Sequence, residues 1–186
     1  MKWVTNALSL GLVATSVLAA PLDNRQDDGG LDLYQLQVTS KNKQIDGRYL
    51  ALNGSDLGLY DGDDTGPIKV YQTDSKKEGC KELHTYPIGI VDHSLGLVGP
   101  PALLTFVDMV NPDGADPGNG AVAMWDTFRV EDGKVTNDAE GQWLAFPDVK
   151  KSWKVKWSDG SSPTIDDYMP VEVAYVSAGQ GRYVGK

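Results

Sequence analysis

Residues 46–52 read DGRYLAL and residues 140–146 read EGQWLAF, so both segments run acid, glycine, polar, aromatic, leucine, alanine, apolar. The two segments start 94 positions apart, which is twice 47. A threefold repeat would place a middle copy near residues 92–97, which read DHSLGL. Internal repeats at a fixed period point to particular architectures. The repeat therefore makes a β-trefoil-like barrel one candidate fold, beside other barrels and sandwiches in which glycine and an aromatic residue simply begin a strand.

Alternation of apolar and polar residues continues outward from this repeat. Tyr34, Leu36 and Val38 alternate with glutamines, the pattern of a half-buried strand, and no window shows a helical repeat with caps. The sequence predicts an all-β fold, a single compact antiparallel domain over residues 31–186 with ten to twelve short strands, arranged as a barrel or a sandwich. Further strands are predicted at residues 48–52, 57–60, 68–71, 87–91, 95–98, 103–110, 121–130, 134–137, 142–146, 153–157 and 171–176.

The composition is acidic and rich in turn-forming residues. The 186 residues carry 26 Asp and Glu against 17 Lys and Arg, a net charge of −9, together with 21 glycines and 10 prolines. Nucleic-acid binding needs a basic face, and attachment to an anionic membrane surface needs basic charge as well. The balance of charge therefore excludes nucleic acid and membrane as predicted partners.

The first twenty residues have the layout of a secretory signal peptide. Met1-Lys2 gives a short positive start, an uncharged apolar run follows to Leu18, and small residues precede Pro21. The run is shorter than the ~20 residues of a spanning helix. Residues 1–20 are therefore predicted to be a signal peptide and residues 21–30 a disordered leader, so the protein is expected to be secreted, extracellular or in the cell wall.

Several residues are assigned to the core by their pattern. Trp153, Val155 and Trp157 share one strand face opposite two lysines, which favours burial of the tryptophans, and we expect Trp125 and Trp143 to be buried too. The single cysteine, Cys80, excludes an internal disulfide and is expected to be a buried apolar residue.

The stretch around residues 60–71 carries the candidate ligand sites. Tyr60 and Tyr71 flank an acidic turn and are predicted to form an exposed aromatic pair that binds a ligand. Asp61, Asp63 and Asp64 supply the carboxylates that calcium prefers, although Gln72 stands where an EF-hand would have glutamate. Asp-Gly turns without any metal have the same composition. No cofactor is therefore required, and calcium is the one candidate. Loops 61–67 and 111–120 are the expected contact surfaces.

Asn53-Gly54-Ser55 is an N-glycosylation sequon on a predicted loop. In an exported protein, Asn53 is the expected glycosylation site.

No catalytic motif is recognisable, and the chain is predicted not to be an enzyme. His84 and His93 are the only histidines, which is too few for a three-histidine zinc site, and neither an HExxH nor a Gly-x-Ser-x-Gly pattern occurs. A Ser-His-Asp triad is assembled only in the fold, so the sequence leaves it open. A small glycosidase with two facing carboxylates is the sharper enzyme alternative. Its glutamates would come from Glu78, Glu82, Glu131, Glu140 and Glu172, of which no pair stands out.

Four segments of the C-terminal third carry a family resemblance: WDTFRVEDGKV at 125–135, GQWLAF at 141–146, WKVKW at 153–157 and MPVEV at 169–173. Together with DGRYL and LGLY in the front half, this order resembles small secreted fungal proteins of the cell-wall type, including the PhiA-like group connected with conidiophore and cell-wall development. In that group cysteines tend to stand, and would pair, where this chain has Phe146 and Met169. The resemblance implies a non-enzymatic wall or extracellular role and assigns no catalytic residue.

The predicted function is that of a secreted, non-catalytic cell-wall or extracellular β-domain that contacts polysaccharide or an extracellular protein. The alternatives are a secreted carbohydrate-binding or effector-like module and, less favoured, a small glycoside hydrolase.

Overall fold

A computed structural model describes residues 30–61, 66–165 and 167–182. The predicted signal peptide and almost all of the predicted leader lie outside these residues. One short 3-10 turn, Val149–Lys151, interrupts a structure that is otherwise made of strands and loops. The described residues form thirteen strands: β1 (Gly30–Thr39), β2 (Ala51–Asn53), β3 (Asp56–Leu59), β4 (Lys69–Asp74), β5 (Lys81–Tyr86), β6 (His93–Gly99), β7 (Leu103–Val110), β8 (Val122–Met124), β9 (Phe128–Glu131), β10 (Lys134–Asn137), β11 (Gln142–Pro147), β12 (Trp153–Ser158) and β13 (Met169–Arg182).

The strands form a closed antiparallel barrel. One circuit of paired strands runs β1-β4-β5-β9-β10-β13 and returns to β1. A longer circuit of nine strands runs β1-β4-β5-β6-β7-β3-β12-β11-β13 and also returns to β1. The all-β antiparallel prediction is confirmed, although β1 and β13 are longer than the short strands expected.

Three hairpins extend the six-stranded circuit: β2–β3, β6–β7 and β11–β12. They meet through pairing of β3 with β7, of β3 with β12 and of β7 with β12. Each third of the chain contributes one hairpin. This threefold order of hairpins agrees with the β-trefoil-like barrel that the sequence offered as one candidate fold. The repeat in the sequence has a structural meaning, because the first strand of each hairpin begins within one of the three copies, at residues 46–52, 92–97 and 140–146.

The core lies inside the barrel and is filled by the inward-facing residues of many strands. Phe106 packs against Phe128 and Trp143, with ring centroids 5.8 and 4.9 Å apart. The pairing of β1 with β13 shifts between Leu33 and Tyr34, because Ala178 is an extra residue in β13. Leu33 and Leu36 of β1 are both buried.

Most predicted strands are observed, two of them with unchanged bounds: Leu103–Val110 and Lys134–Asn137. The strand predicted at residues 87–91 is wrong, because this segment is a loop in which Ile90 is 98% exposed. The neighbouring strand β5 was not predicted, since Leu83 is its only aliphatic residue. The segment predicted as one strand at 121–130 is divided into β8 and β9.

The predicted core residues are largely confirmed. Trp143, Trp153 and Trp157 are buried, as is Cys80, which is a free thiol. Trp125 is only partly buried, so its assignment to the core is correct only in part.

Candidate functional site

The predicted metal turn is described only at its first residue. Asp61 is exposed, and its Oδ1 lies 2.6 Å from Nη2 of Arg48, so this carboxylate forms an ion pair with Arg48. Asp63 and Asp64 lie outside the described residues. Within residues 30–61, 66–165 and 167–182, no three His, Cys, Asp or Glu side chains are grouped so that they could hold a metal ion. Calcium binding here stays a prediction.

Tyr60 and Tyr71 are both half-buried, so the exposed aromatic pair that was predicted is not observed. The Tyr60 hydroxyl is buried without a hydrogen-bond partner. Burial raises the pKa of Tyr60 to about 12, and the negative charges of Asp56 and Asp148 add to the shift. Tyr71 lies on β4, where its ring stacks on the imidazole of His84 with centroids 5.2 Å apart. The two rings thus have different neighbours.

Asn53 is exposed at the end of β2, beside the turn that leads into β3. Gly54 in this turn has φ +63°, a conformation that suits glycine. Accessibility is what a glycan acceptor needs, and glycosylation of Asn53 itself stays a prediction.

A polar cluster surrounds the buried His84, a residue that the sequence analysis considered as a zinc ligand while leaving a Ser-His-Asp triad open. Its Nδ1 lies 2.9 Å from both Asp92 Oδ1 and Ser94 Oγ. Its Nε2 lies 3.0 Å from Thr73 Oγ1 and 3.3 Å from Glu82 Oε2. We call these five residues the His84 cluster. The spacing of Glu82 and His84 by two positions on one strand was the available signal, but that strand was not predicted.

The His84 cluster contains a hydroxyl, an imidazole and a carboxylate in the order found in serine hydrolases. Three features separate it from such a triad. The hydroxyl nearest to His84 Nε2 belongs to a threonine, Thr73, and Glu82 lies near the same nitrogen. Ser94 lies near the other nitrogen, Nδ1, where Asp92 also lies. Hydrogen bonds of the His84 cluster join β4, β5 and the start of β6. None of its five residues lines the large cavity at the start of β13.

This groove of about 820 Å³ lies between the turn after β1 and the start of β13. Met169, Pro170 and Val171 provide its apolar surface. Hydroxyl, amide and charged side chains provide the rest, and they come from Thr39, Ser40, Lys41, Asn42, Gln142 and Glu172. Its volume is within the range of small-molecule sites, and apolar walls with a few polar groups are typical of them. We call this cavity the β13 groove.

The turn on one side of the β13 groove is held by its own hydrogen bonds. Ser40 N–H donates to Asp46 Oδ1 at 2.9 Å, and Asn42 N–H donates to Ser40 Oγ at 3.1 Å. Gln44 N–H donates to Asn42 Oδ1 at 3.0 Å, and the fully buried Ile45 anchors the turn to the core. These contacts fix the side chains of Ser40 and Asn42 against the turn.

A smaller cavity of about 170 Å³ adjoins the β13 groove, and the two share Gln142, Val171 and Glu172. We call it the tryptophan pocket, because Trp143 and Trp157 line it. Lys134 lies at its edge, with Nζ 2.9 Å from a carboxylate oxygen of Glu172. The ion pair makes the charge at the boundary of the two cavities nearly balanced.

Comparison of the chain with protein-family models, with curated proteins and with solved structures finds no match. The described part of the chain has no helix with the length and apolar character required to traverse a bilayer.

The sequence did not predict the β13 groove. Its walls come from residues 39–42, 142 and 169–172, three segments that only the closure of the barrel brings together. Among the glutamates considered for a glycosidase, Glu172 lines the groove, and its side chain is 57% exposed.

Proposed function

We propose that this chain is a secreted, non-catalytic β-domain of the fungal cell-wall type, which binds an uncharged wall polysaccharide in the β13 groove. The proposal rests on one observation, the combination in that groove of an apolar surface with amide and hydroxyl groups. Sugar rings present C–H groups on their faces and hydroxyls around their edges, so both kinds of surface find partners.

Two further features support an uncharged polysaccharide over a polyanion or a polycation. The acidic net charge disfavours polyanions, and Lys134 neutralises Glu172, the one carboxylate among the described residues that line the groove, which leaves Lys41 as the other charge of the lining. The strand motifs that resemble small fungal wall proteins support the same class of ligand. An extracellular protein partner and a small glycosidase are the alternatives that the experiment must separate.

The test is a pull-down of residues 21–186 with insoluble chitin, β-glucan and whole fungal walls, with soluble sugar measured in the same tubes. We expect retention on at least one polysaccharide and no released sugar. Retention on whole walls alone would favour a protein partner, and released sugar would show an enzyme.

A matched pair of variants tests the groove itself. Gln142 and Gln180 are both exposed glutamines on strands, but only Gln142 lines the groove. Gln142→Ala is expected to weaken retention about tenfold, the effect of losing one or two hydrogen bonds. Gln180→Ala is expected to bind like the natural protein. Equal binding by both variants would place the site elsewhere.

A further inference from the structure

Asn42 is held in the turn after β1 by hydrogen bonds to both its backbone and its side chain. Its backbone N–H donates to Ser40 Oγ at 3.1 Å, and its backbone oxygen accepts from the N–H groups of Ile45 and Asp46 at 3.1 and 3.0 Å. Its side-chain Oδ1 accepts from the N–H of Gln44 at 3.0 Å. These bonds fix the backbone of Asn42 and the orientation of its side-chain amide.

The amide nitrogen of Asn42 has a weak partner. Its Nδ2 lies 3.6 Å from Sδ of Met169. A thioether sulfur is a weak acceptor, so an oxygen atom would accept a stronger hydrogen bond from this nitrogen. Asn42 and Met169 are both half-buried and line the β13 groove, one in the turn and the other at the start of β13, so their contact joins the two sides of the groove. A ligand in the groove can offer Asn42 a better acceptor than the sulfur.

The apolar surface beside this amide is aliphatic. Met169, Pro170 and Val171 provide it, and no aromatic residue is among the described residues that line the groove. An unmodified glucan offers hydroxyls and flat C–H faces, and flat faces pack best on aromatic planes. An acetamido group instead offers a methyl group, which an aliphatic surface can remove from water. Gln142 adds a second side-chain amide to the lining, and an acetamido group carries both an acceptor and a donor for such amides.

We propose that the β13 groove recognises the acetamido groups of an N-acetylated, chitin-type chain. In this complex Asn42 Nδ2–H donates to an acetamido oxygen, and the methyl group of the same acetamido lies against the aliphatic surface of Met169 and Val171. The inference rests on the proposed polysaccharide function and names the class of polysaccharide. An acetamido group is uncharged, so it also agrees with the near balance of charge that the Lys134–Glu172 pair gives the edge of the groove.

The test compares the binding of soluble tetrasaccharides of chitin and of β-glucan to residues 21–186 by titration calorimetry. We expect the chitin tetrasaccharide to bind about tenfold more tightly, the effect of one hydrogen bond together with one buried methyl group.

A matched pair of variants tests the role of Asn42. Asn42→Asp keeps the Oδ1 acceptor of the turn and removes the Nδ2 donor, so its affinity for the chitin tetrasaccharide is expected to fall about tenfold. Asn111→Asp is the control, because it adds the same charge at an exposed position that does not line the groove. It is expected to bind the chitin tetrasaccharide like the natural protein.

A spectroscopic measurement on the natural protein does not depend on the stability of a variant. In a saturation-transfer difference spectrum with the chitin tetrasaccharide, we expect the acetyl methyl protons to receive more magnetisation than the ring protons, because the methyl groups lie against side chains. Stronger transfer to the ring protons would contradict the proposal.

The outcomes separate this inference from the proposed function. Equal or tighter binding of the β-glucan tetrasaccharide would overturn the recognition of acetamido groups and leave the polysaccharide function standing. The same affinity of Asn42→Asp and Asn111→Asp for the chitin tetrasaccharide would overturn it too. A natural protein that binds neither tetrasaccharides nor insoluble polysaccharide would overturn both proposals.

Discussion

Asp92 Oδ1 lies 2.9 Å from Nδ1 of His84, and this contact links Asp92, the residue before β6, to the middle of β5. Glu82 Oε2 lies 3.3 Å from the other ring nitrogen. A carboxylate oxygen thus lies near each of the two ring nitrogens. The ring is buried and is covered on one face by Tyr71, which makes it the centre of the His84 cluster.

Replacement of His84 by alanine is expected to lower the free energy of unfolding by about 2–4 kcal/mol, because buried polar groups lose their partner and a cavity opens below Tyr71. Urea denaturation at neutral pH measures the change. Thr73→Val is the control, since it removes one exposed hydroxyl of the same cluster and should cost less than about 1 kcal/mol. Similar losses in both variants would contradict the central role of the imidazole.

Asp138 is expected to contribute to stability at neutral pH and to lose that contribution in acid. Hydrogen bonds from Lys77 and Arg129 hold the pKa of Asp138 below its usual range. A lowered pKa in the folded state stabilises the protein above the ordinary aspartate pKa of ~3.9, and the effect disappears as the pH falls through the lowered value. Asp138→Asn should therefore be less stable at pH 6 and lose less stability on acidification.

Urea midpoints between pH 6 and pH 2 measure the effect of Asp138. Asp113→Asn is the charge control, because it removes one exposed carboxylate from the loop 111–120. Parallel acid curves for Asp138→Asn and the natural protein would refute the prediction.

Tyr60 is expected to ionise late in an alkaline titration. Its pKa is raised to about 12, mainly by burial. The stability that this shift contributes is present below the ordinary tyrosine pKa of ~10 and is lost as the pH rises toward the raised value. Ultraviolet absorbance of the phenolate should show a step near pH 12 that is missing in Tyr60→Phe. The prediction fails if the high-pH part of the curve is the same in both proteins.

Gly58 and Gly96 are both buried in strands, but an added Cβ atom would meet a different kind of neighbour at each position. A Cβ on Gly58 would collide with the backbone oxygen of Trp153, whereas a Cβ on Gly96 would meet the sulfur of Met109. A flexible methionine can move aside and a paired backbone cannot. Gly96→Ala is expected to cost about 1 kcal/mol and Gly58→Ala about 3 kcal/mol or more, since overpacking typically costs 1–3 kcal/mol. Thermal unfolding of the two variants gives the comparison, and the reverse order would contradict it.

The sequence predicted the fold wherever a strand alternates clearly between buried apolar and exposed polar residues. Strand β12 shows this pattern, since Trp153, Val155 and Trp157 are buried while Lys154 and Lys156 point away from the core. Strand β5 could not be predicted in this way, because its buried pair is Leu83 and His84 and the histidine is stabilised by partners outside β5. Residues 87–91 were wrongly predicted to form a strand, because their isoleucine and valine lie in an exposed loop, and isolated apolar residues are common on protein surfaces.

The candidate site was beyond the reach of local sequence patterns. The burial of Trp157 followed from alternation, but the tryptophan pocket beside it depends on where β10, β11 and β13 meet β12. The β13 groove likewise depends on where the turn at residues 39–42 meets residues 169–172. Both features belong to tertiary packing, on which a single sequence without its fold carries little information.

Pairing of β1 with β13 has a consequence for the synthesis of this protein. In that ladder Asp32 lies opposite Gln180, 148 positions later in the chain. On the ribosome β1 therefore emerges long before its partner, and its edge stays open until β13 has been translated. Contacts between such distant positions also slow folding. During this interval the open edge of β1 can pair with other strands, and the circuit of strands that shapes the β13 groove is completed only after β13 has been made.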